Sequence, residues 1–152
     1  MHRYTVRTEW SGSTRAGYEN YERAHVASAP PARARVDLSS DPAFGGDPSR
    51  LNPEQLLVLA TSSCQLLSFL AVAARARVEV TAYRDEAEGV MPENERPMRI
   101  TSITLRPTIT VGPGTDEGRV RQLTEAAHRE CYVANSLAIP VEVEPTVELT
   151  GW

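Results

Sequence analysis

Asn52-Pro53-Glu54-Gln55, followed by the almost unbroken apolar run from Leu56 to about Ala76, is the stretch that decides the fold. Asparagine is a strong helix N-cap. Proline suits the first helical position, where its missing N–H is not needed, and an acid and an amide complete the first turn. Beyond this start, Leu56, Leu57, Leu59, Leu66, Leu67, Phe69 and Leu70 fall on nearly every face of a 3.6-residue helix. The spacing therefore predicts a helix that is buried rather than half exposed. At ~1.5 Å per residue it is ~30 Å long, the width of a small domain, so it must be the central element.

The segments on either side read as strands. Tyr4 to Trp10 alternates, Ser11 to Gly17 is rich in turn formers, and Tyr18 to Ala27 reads as the returning strand of a hairpin. Pro30-Pro31 breaks it, Arg35 to Ser39 is a third short strand, and Asp41 to Leu51 is a loop full of Gly, Pro and Asp. After the helix, Val78 to Ala87 and Ile100 to Val111 alternate, with a proline-bearing connection from Met91 to Pro97. Thr115 and Asp116 can cap a second helix, whose spaced Val120, Leu123 and Ala127 lead along one face to Cys131. A break near Tyr132 to Ile139 and a last strand, Val141 to Leu149, follow. Strands, long helix, strands, helix, strand is an α+β order with largely antiparallel sheets, not a doubly wound parallel fold.

The 152 residues, 41% of them hydrophobic, are enough for one domain with its own core, so residues 1–152 are expected to form a single domain. The net charge is −4 and the basic residues are scattered, so nothing marks a phosphate-binding surface and nucleic acid is an unexpected partner. No run approaches ~18 uninterrupted apolar residues, and the polar start Met1-His2-Arg3-Tyr4 lacks the apolar core of a signal peptide. No membrane is expected, and the expected compartment is the cytoplasm.

In such a compartment two cysteines read as thiols rather than a structural disulfide. Cys64 sits in Thr61-Ser62-Ser63-Cys64-Gln65, the one polar patch of a greasy helix. A free cysteine is also a small apolar residue that cores commonly bury, and either cysteine taken alone reads that way. Together they complete a chemistry. A thiol peroxidase needs a thiolate to attack the peroxide, a cation to favour it, and a second thiol to condense with the sulfenic acid before it over-oxidises. The two can pair only if their Cα atoms come within ~7 Å, which spacing in sequence does not decide.

Phe44-Gly45-Gly46-Asp47, Asn52-Pro53-Glu54-Gln55-Leu56-Leu57, Cys64, His128-Arg129-Glu130-Cys131 and Ala134-Asn135-Ser136-Leu137, in this order, resemble the OsmC/Ohr family of osmotically inducible and organic-hydroperoxide-resistance proteins. The resemblance implies an OsmC-like fold with antiparallel sheets wrapped around a long buried helix and a second helix, in an intertwined homodimer. It implies a peroxidatic Cys64 resolved by Cys131, an activating arginine in the first hairpin turn, matched to Arg15 with Arg23 in reserve, and Glu54 beside it. It further implies an organic hydroperoxide as substrate and a dithiol reductant, lipoyl-type in the Ohr branch, with no cofactor and no metal. Gln65 after Cys64 and Tyr132-Val133 after Cys131 depart from the best-known peroxidases, pointing to a general OsmC-like branch.

Ten residues along one helix separate Glu54 from Cys64 by ~15 Å and by roughly 80° around the axis. A site holding both needs either a bridging arginine or a glutamate from a partner's antiparallel helix, and the family's dimeric site resembles the second arrangement. Two rival readings remain. His128 lies on the helical face of Cys131, as in a metal site or an activated nucleophile, but His2 and His25 fall at no ligand spacing. A non-catalytic redox sensor or small-ligand binder would keep the fold and the thiols without turnover, and Tyr18, Tyr21 and Tyr83 could line its pocket or simply pack across strands.

Overall fold

The computed structural model describes residues 1–151, which form two compact units, residues 1–56 and the described residues from 57 onward. In the first, β1 (Arg7–Glu9), β2 (His25–Ser28) and β3 (Arg35–Leu38) make an antiparallel meander, with Arg7 opposite Ser28 and His25 opposite Leu38. The returning strand begins at His25 rather than Tyr18. Residues 14–20 are taken up by successive turns, Gly17 N–H to Thr14 O and Asn20 N–H to Gly17 O, the first closed by Gly17 at a left-handed φ of 88°. The loop after β3 holds a short 3-10 turn, Pro42–Phe44, started by the Asp41 carboxylate, which accepts the Ala43 N–H at 2.7 Å. Only glycine fits at position 46, where a Cβ would stand 1.6 Å from the Ser40 carbonyl oxygen.

The long helix, α1 (Pro53–Arg75), starts where the sequence places it. Asn52 Oδ1 accepts the Gln55 N–H at 2.8 Å and Gln55 Oε1 accepts the Asn52 N–H at 3.0 Å, a reciprocal capping box. Its burial differs from expectation. Thr61, Gln65, Phe69, Val72 and Ala73 form the buried stripe, while Leu59, Leu67 and Leu70 stay exposed in the single chain. An 18-residue window of α1 has a mean hydropathy of 2.0, long and apolar enough to cross a membrane by length and composition, although no run in it is uninterrupted. Its polar side chains bond elsewhere within the unit. Thr61 Oγ1 donates to Leu57 O, Ser62 Oγ to Asp85, and Gln65 Nε2 to Thr124 O.

The second unit adds β4 (Val80–Asp85), β5 (Glu88–Val90), β6 (Ser102–Leu105), β7 (Pro107–Val111), α2 (Glu117–Glu130), a single turn α3 (Tyr132–Asn135), β8 (Val141–Val143) and β9 (Thr146–Leu149). Two three-stranded sheets result, β4-β7-β9 and β5-β6-β8. Each is mixed: β4/β7 and β5/β6 are antiparallel, but β7/β9 and β6/β8 are parallel. Four of the six strand pairings are antiparallel, in keeping with the expected largely antiparallel sheets, and the two parallel ones have a topological reason. The chain returns from β7 through α2, and a crossover helix brings the next strand back in the same direction. The segments expected as single strands, 100–111 and 141–149, also change sheet midway. They stay in one register throughout, Leu105 opposite Val143 and Thr108 opposite Thr146, and both are interrupted next to a proline, Pro107 or Pro145, which has no N–H to give a ladder. Phe69, Val72 and Ala73 of α1 pack with Ile109 and Val111 of β7 and with Val120, Leu123 and Ala127 of α2 to form the core.

Candidate active site

Asp116 accepts the Arg119 N–H at 2.9 Å and starts α2, whose apolar side runs Val120, Leu123, Ala127 and ends on Cys131, fully buried at the helix C-cap. Cys64 lies half-buried on the middle of α1. Both cysteines are free thiols, and the fold brings them close, with the Cys64 sulfur against the turn that follows Cys131. The Val133 N–H, in the turn after Cys131, donates to Cys64 Sγ at 3.5 Å.

Burial pushes the Cys131 thiol from its ordinary 9.0 up to about 11. The neighbouring Cys64 side chain and its negative charge when ionised act in the same direction, and backbone hydrogen bonds from Ala134 and Val133 oppose them. Tyr83, its ring 5.8 Å from that of Phe69, carries a buried hydroxyl without a hydrogen-bond partner. Burial holds this phenol protonated well above its ordinary range, and the negative charges of Asp85 and Cys131 add to that. Gln65, fully buried beside Cys64, ties α1 to α2 through Thr124 O at 3.2 Å and leaves its Oε1 unpartnered. The sequence shows the polar patch around Cys64 but gives Gln65 no role in a site, offers Tyr83 only as a pocket-lining or cross-strand residue, and does not single out Val133. The first two carry no signal until the strands are placed against the helices, and the third acts through its backbone.

Below about pH 9 the Cys131 thiol is protonated in both folded and unfolded chains. Between about pH 9 and about 11 the unfolded chain loses the proton and the folded chain does not, so rising pH favours unfolding. At ~1.4 kcal/mol per pKa unit, and allowing for solvent screening, Cys131 is expected to cost the fold up to about 2 kcal/mol across that window. Urea unfolding of the wild type and Cys131→Ser at pH 8 and pH 11 checks this. The variant should lose less stability than the wild type, and equal losses would remove Cys131 as the cause.

In the first unit, Arg15 is exposed in a turn, with Glu54 half-buried in the first turn of α1, and neither side chain forms an ion pair among the described residues. Arg23 is fixed instead. Its guanidinium donates to the carbonyls of Tyr21 (2.9 Å) and Tyr18 (2.6 Å) and lies 4.0 Å and 4.9 Å from the centroids of the two rings. A cavity of about 410 Å³ beside it is lined by Trp10, Tyr21, Arg23 and His25, among others. Tyr18 and Tyr21 thus hold an arginine, while Tyr83 belongs to the surroundings of the thiols in the second unit. His128 has a buried, unpartnered Nδ1, but no group of three metal-ligating side chains occurs among the described residues.

Residues 46–146 match the sequence pattern of the OsmC-like proteins. The chain belongs to the OsmC-like protein family. Solved structures agree. An OsmC-like protein of unknown function from Vibrio cholerae is 26% identical with a TM-score of 0.85, covering 96% of this chain and 100% of its own. An organic hydroperoxide resistance protein from Elizabethkingia anophelis shares the fold at 20% identity and a TM-score of 0.70, covering 98% of this chain and 99% of its own. So does one from Bacillus subtilis, at 19% identity and 0.59, with coverages of 97% and 98%. No curated protein is significantly similar. An OsmC-like chain with two apposed thiols has the parts for a dithiol–disulfide cycle.

Proposed function

We propose that this OsmC-like protein is a two-cysteine thiol peroxidase that reduces organic hydroperoxides. The observation that carries the reading is the pair of free thiols brought close by the fold, Cys64 half-buried with its sulfur against the turn after Cys131, and Cys131 sealed. The Cys64 thiolate attacks the terminal peroxide oxygen, the O–O bond breaks, and alkoxide leaves to take a proton from water as the alcohol. The sulfenic acid on Cys64 then condenses with the Cys131 thiol to form the disulfide and release water. A cellular dithiol, lipoyl-type in this proposal, restores both thiols by exchange through a mixed disulfide. No cofactor or metal takes part.

Arg15 is the proposed cation for the thiolate, Arg23 its alternative, and Glu54 the acid that orients it. The anchored guanidinium of Arg23 supports the alternative. The further proposals are a single functional domain over 1–152, a homodimer, and a cytoplasmic location without a membrane or nucleic-acid partner. The dimer is supported by Ala60, Ser63, Leu67, Leu70 and Ala74, which leave one side of α1 exposed and largely apolar in the single chain.

A free-thiol count tests the reading. One equivalent of tert-butyl hydroperoxide should remove both thiols, and a dithiol should restore both. Arg15→Leu and Arg23→Leu in the same assay identify the cation by which of them slows thiol loss. If Cys64 stays reduced under peroxide that oxidises a control thiol peroxidase, the enzyme reading fails. Oxidation without catalytic recycling by any dithiol would instead mark a redox sensor.

A further inference from the structure

The turn after Cys131 carries a group to which the peroxidase reading, on which this inference rests, gives no task. Among the described residues the Cys64 sulfur has one hydrogen-bond partner, the Val133 N–H at 3.5 Å. A backbone N–H can only donate, so the sulfur accepts, and it accepts best when it carries the charge. The amide has no competing backbone acceptor. In its own turn Asn135 N–H bonds to Cys131 O, Ser136 N–H to Val133 O and Leu137 N–H to Ala134 O, which leaves the Val133 N–H to the sulfur. Cys64 and Val133 are both half-buried, so water competes for this contact only in part. We propose that the Val133 amide is a catalytic hydrogen-bond donor, a fixed dipole that holds the Cys64 sulfur in its reactive anionic form and against the segment that carries Cys131.

A backbone dipole suits this task. It is held by the turn's own bonds, so it needs no reorganisation as charge gathers on the sulfur, and unlike a side chain it does not titrate. Its place two residues beyond Cys131 puts the group that favours the thiolate and the thiol that resolves the sulfenic acid on one segment. Displacing that segment therefore removes both. The identity of residue 133 carries no signal in the sequence for the same reason: every residue except proline brings the N–H.

The cysteine at 131 lets the full chain be assembled from residues 1–130 and a synthetic segment 131–152 in which the Tyr132–Val133 amide is replaced by an ester. The N–H becomes an oxygen and the side chain is unchanged. The same assembly with the amide is the reference. Alkylation of Cys64 by iodoacetamide without peroxide, followed at the peptide level, should be about tenfold slower in the ester chain at about pH 6.5, equivalent to ~1.4 kcal/mol. At about pH 9.5, where thiolate content no longer limits the rate, the two should agree within about twofold, a convergence that a change in access would not give. An ester carbonyl is also a weaker acceptor, and Tyr132 O accepts the Ser136 hydroxyl at 2.7 Å. Ser136→Ala removes that bond alone and should react within about twofold of wild type. If the ester chain does not fold, Val133→Pro, which removes the same N–H by mutagenesis, should show the same slowing and the same convergence. No slowing at pH 6.5 in a folded chain, slowing that persists at pH 9.5, or equal slowing by Ser136→Ala would overturn the proposal. Because no hydroperoxide is present, failure here leaves the peroxidase reading standing, and failure of the thiol count leaves this result untouched.

Discussion

Cys64→Ser is expected to consume organic hydroperoxide at least ~10³-fold more slowly than wild type, with no protein disulfide formed. The thiolate is the nucleophile; a serine hydroxyl is protonated near neutral pH and cannot become a sulfenic acid. Cys131→Ser should behave differently. It keeps Cys64, so it should reduce about one equivalent of hydroperoxide and stop. Its Cys64 should gain one oxygen atom by mass and then, with excess peroxide, a second, as the unresolved sulfenic acid moves up the oxidation ladder. Peroxide consumption and intact mass, followed together, check both variants. Sustained turnover by Cys64→Ser would remove Cys64 from the chemistry, and sustained turnover by Cys131→Ser would show that Cys131 is not needed for resolution.

The cysteines were legible in the sequence because reactive residue types announce themselves. What surrounds them was not. Gln65 and Tyr83 become a helix clamp and a buried phenol only when α1 is laid against α2 and β4, a tertiary placement no local pattern encodes. The start of α1 was readable because Asn52 and Gln55 satisfy each other within four residues. The sheets were harder. Pro107 and Pro145 stand inside runs that alternate well enough to pass as single strands, and their opposition across a parallel pair is a long-range fact. The burial of α1 was overstated for a related reason: an apolar sequence shows that every face wants cover, not which partner supplies it.

Leu67→Glu is expected to weaken self-association of the protein at least ~100-fold, about 2.7 kcal/mol, because burying a carboxylate against leucine costs more than that unless a cation meets it. Leu67 is 65% exposed, Leu59 55% and Leu70 39%, on a helix whose opposite stripe is the unit's core. Each such leucine gains ~1.5–3 kcal/mol when covered, and small Ala60, Ser63 and Ala74 on the same side allow a second helix to approach closely. Sedimentation velocity at micromolar concentration should show a wild-type dimer and a variant monomer with unchanged helix content by circular dichroism. A monomeric wild type, or a dimeric variant, would sink the dimer proposal. One complication can be turned to use. Leu67 stands three residues beyond Cys64, so a charge there lies ~5–6 Å from the thiol's own position on the helix. Leu67→Glu would then disfavour the Cys64 thiolate by charge as well as by dissociation. Leu67→Arg separates the two: it should dissociate the dimer equally while favouring the thiolate, so Cys64 alkylation near neutral pH should be faster in Leu67→Arg than in Leu67→Glu. Dissociation is thus read from mass and charge from reactivity, and neither measurement stands in for the other.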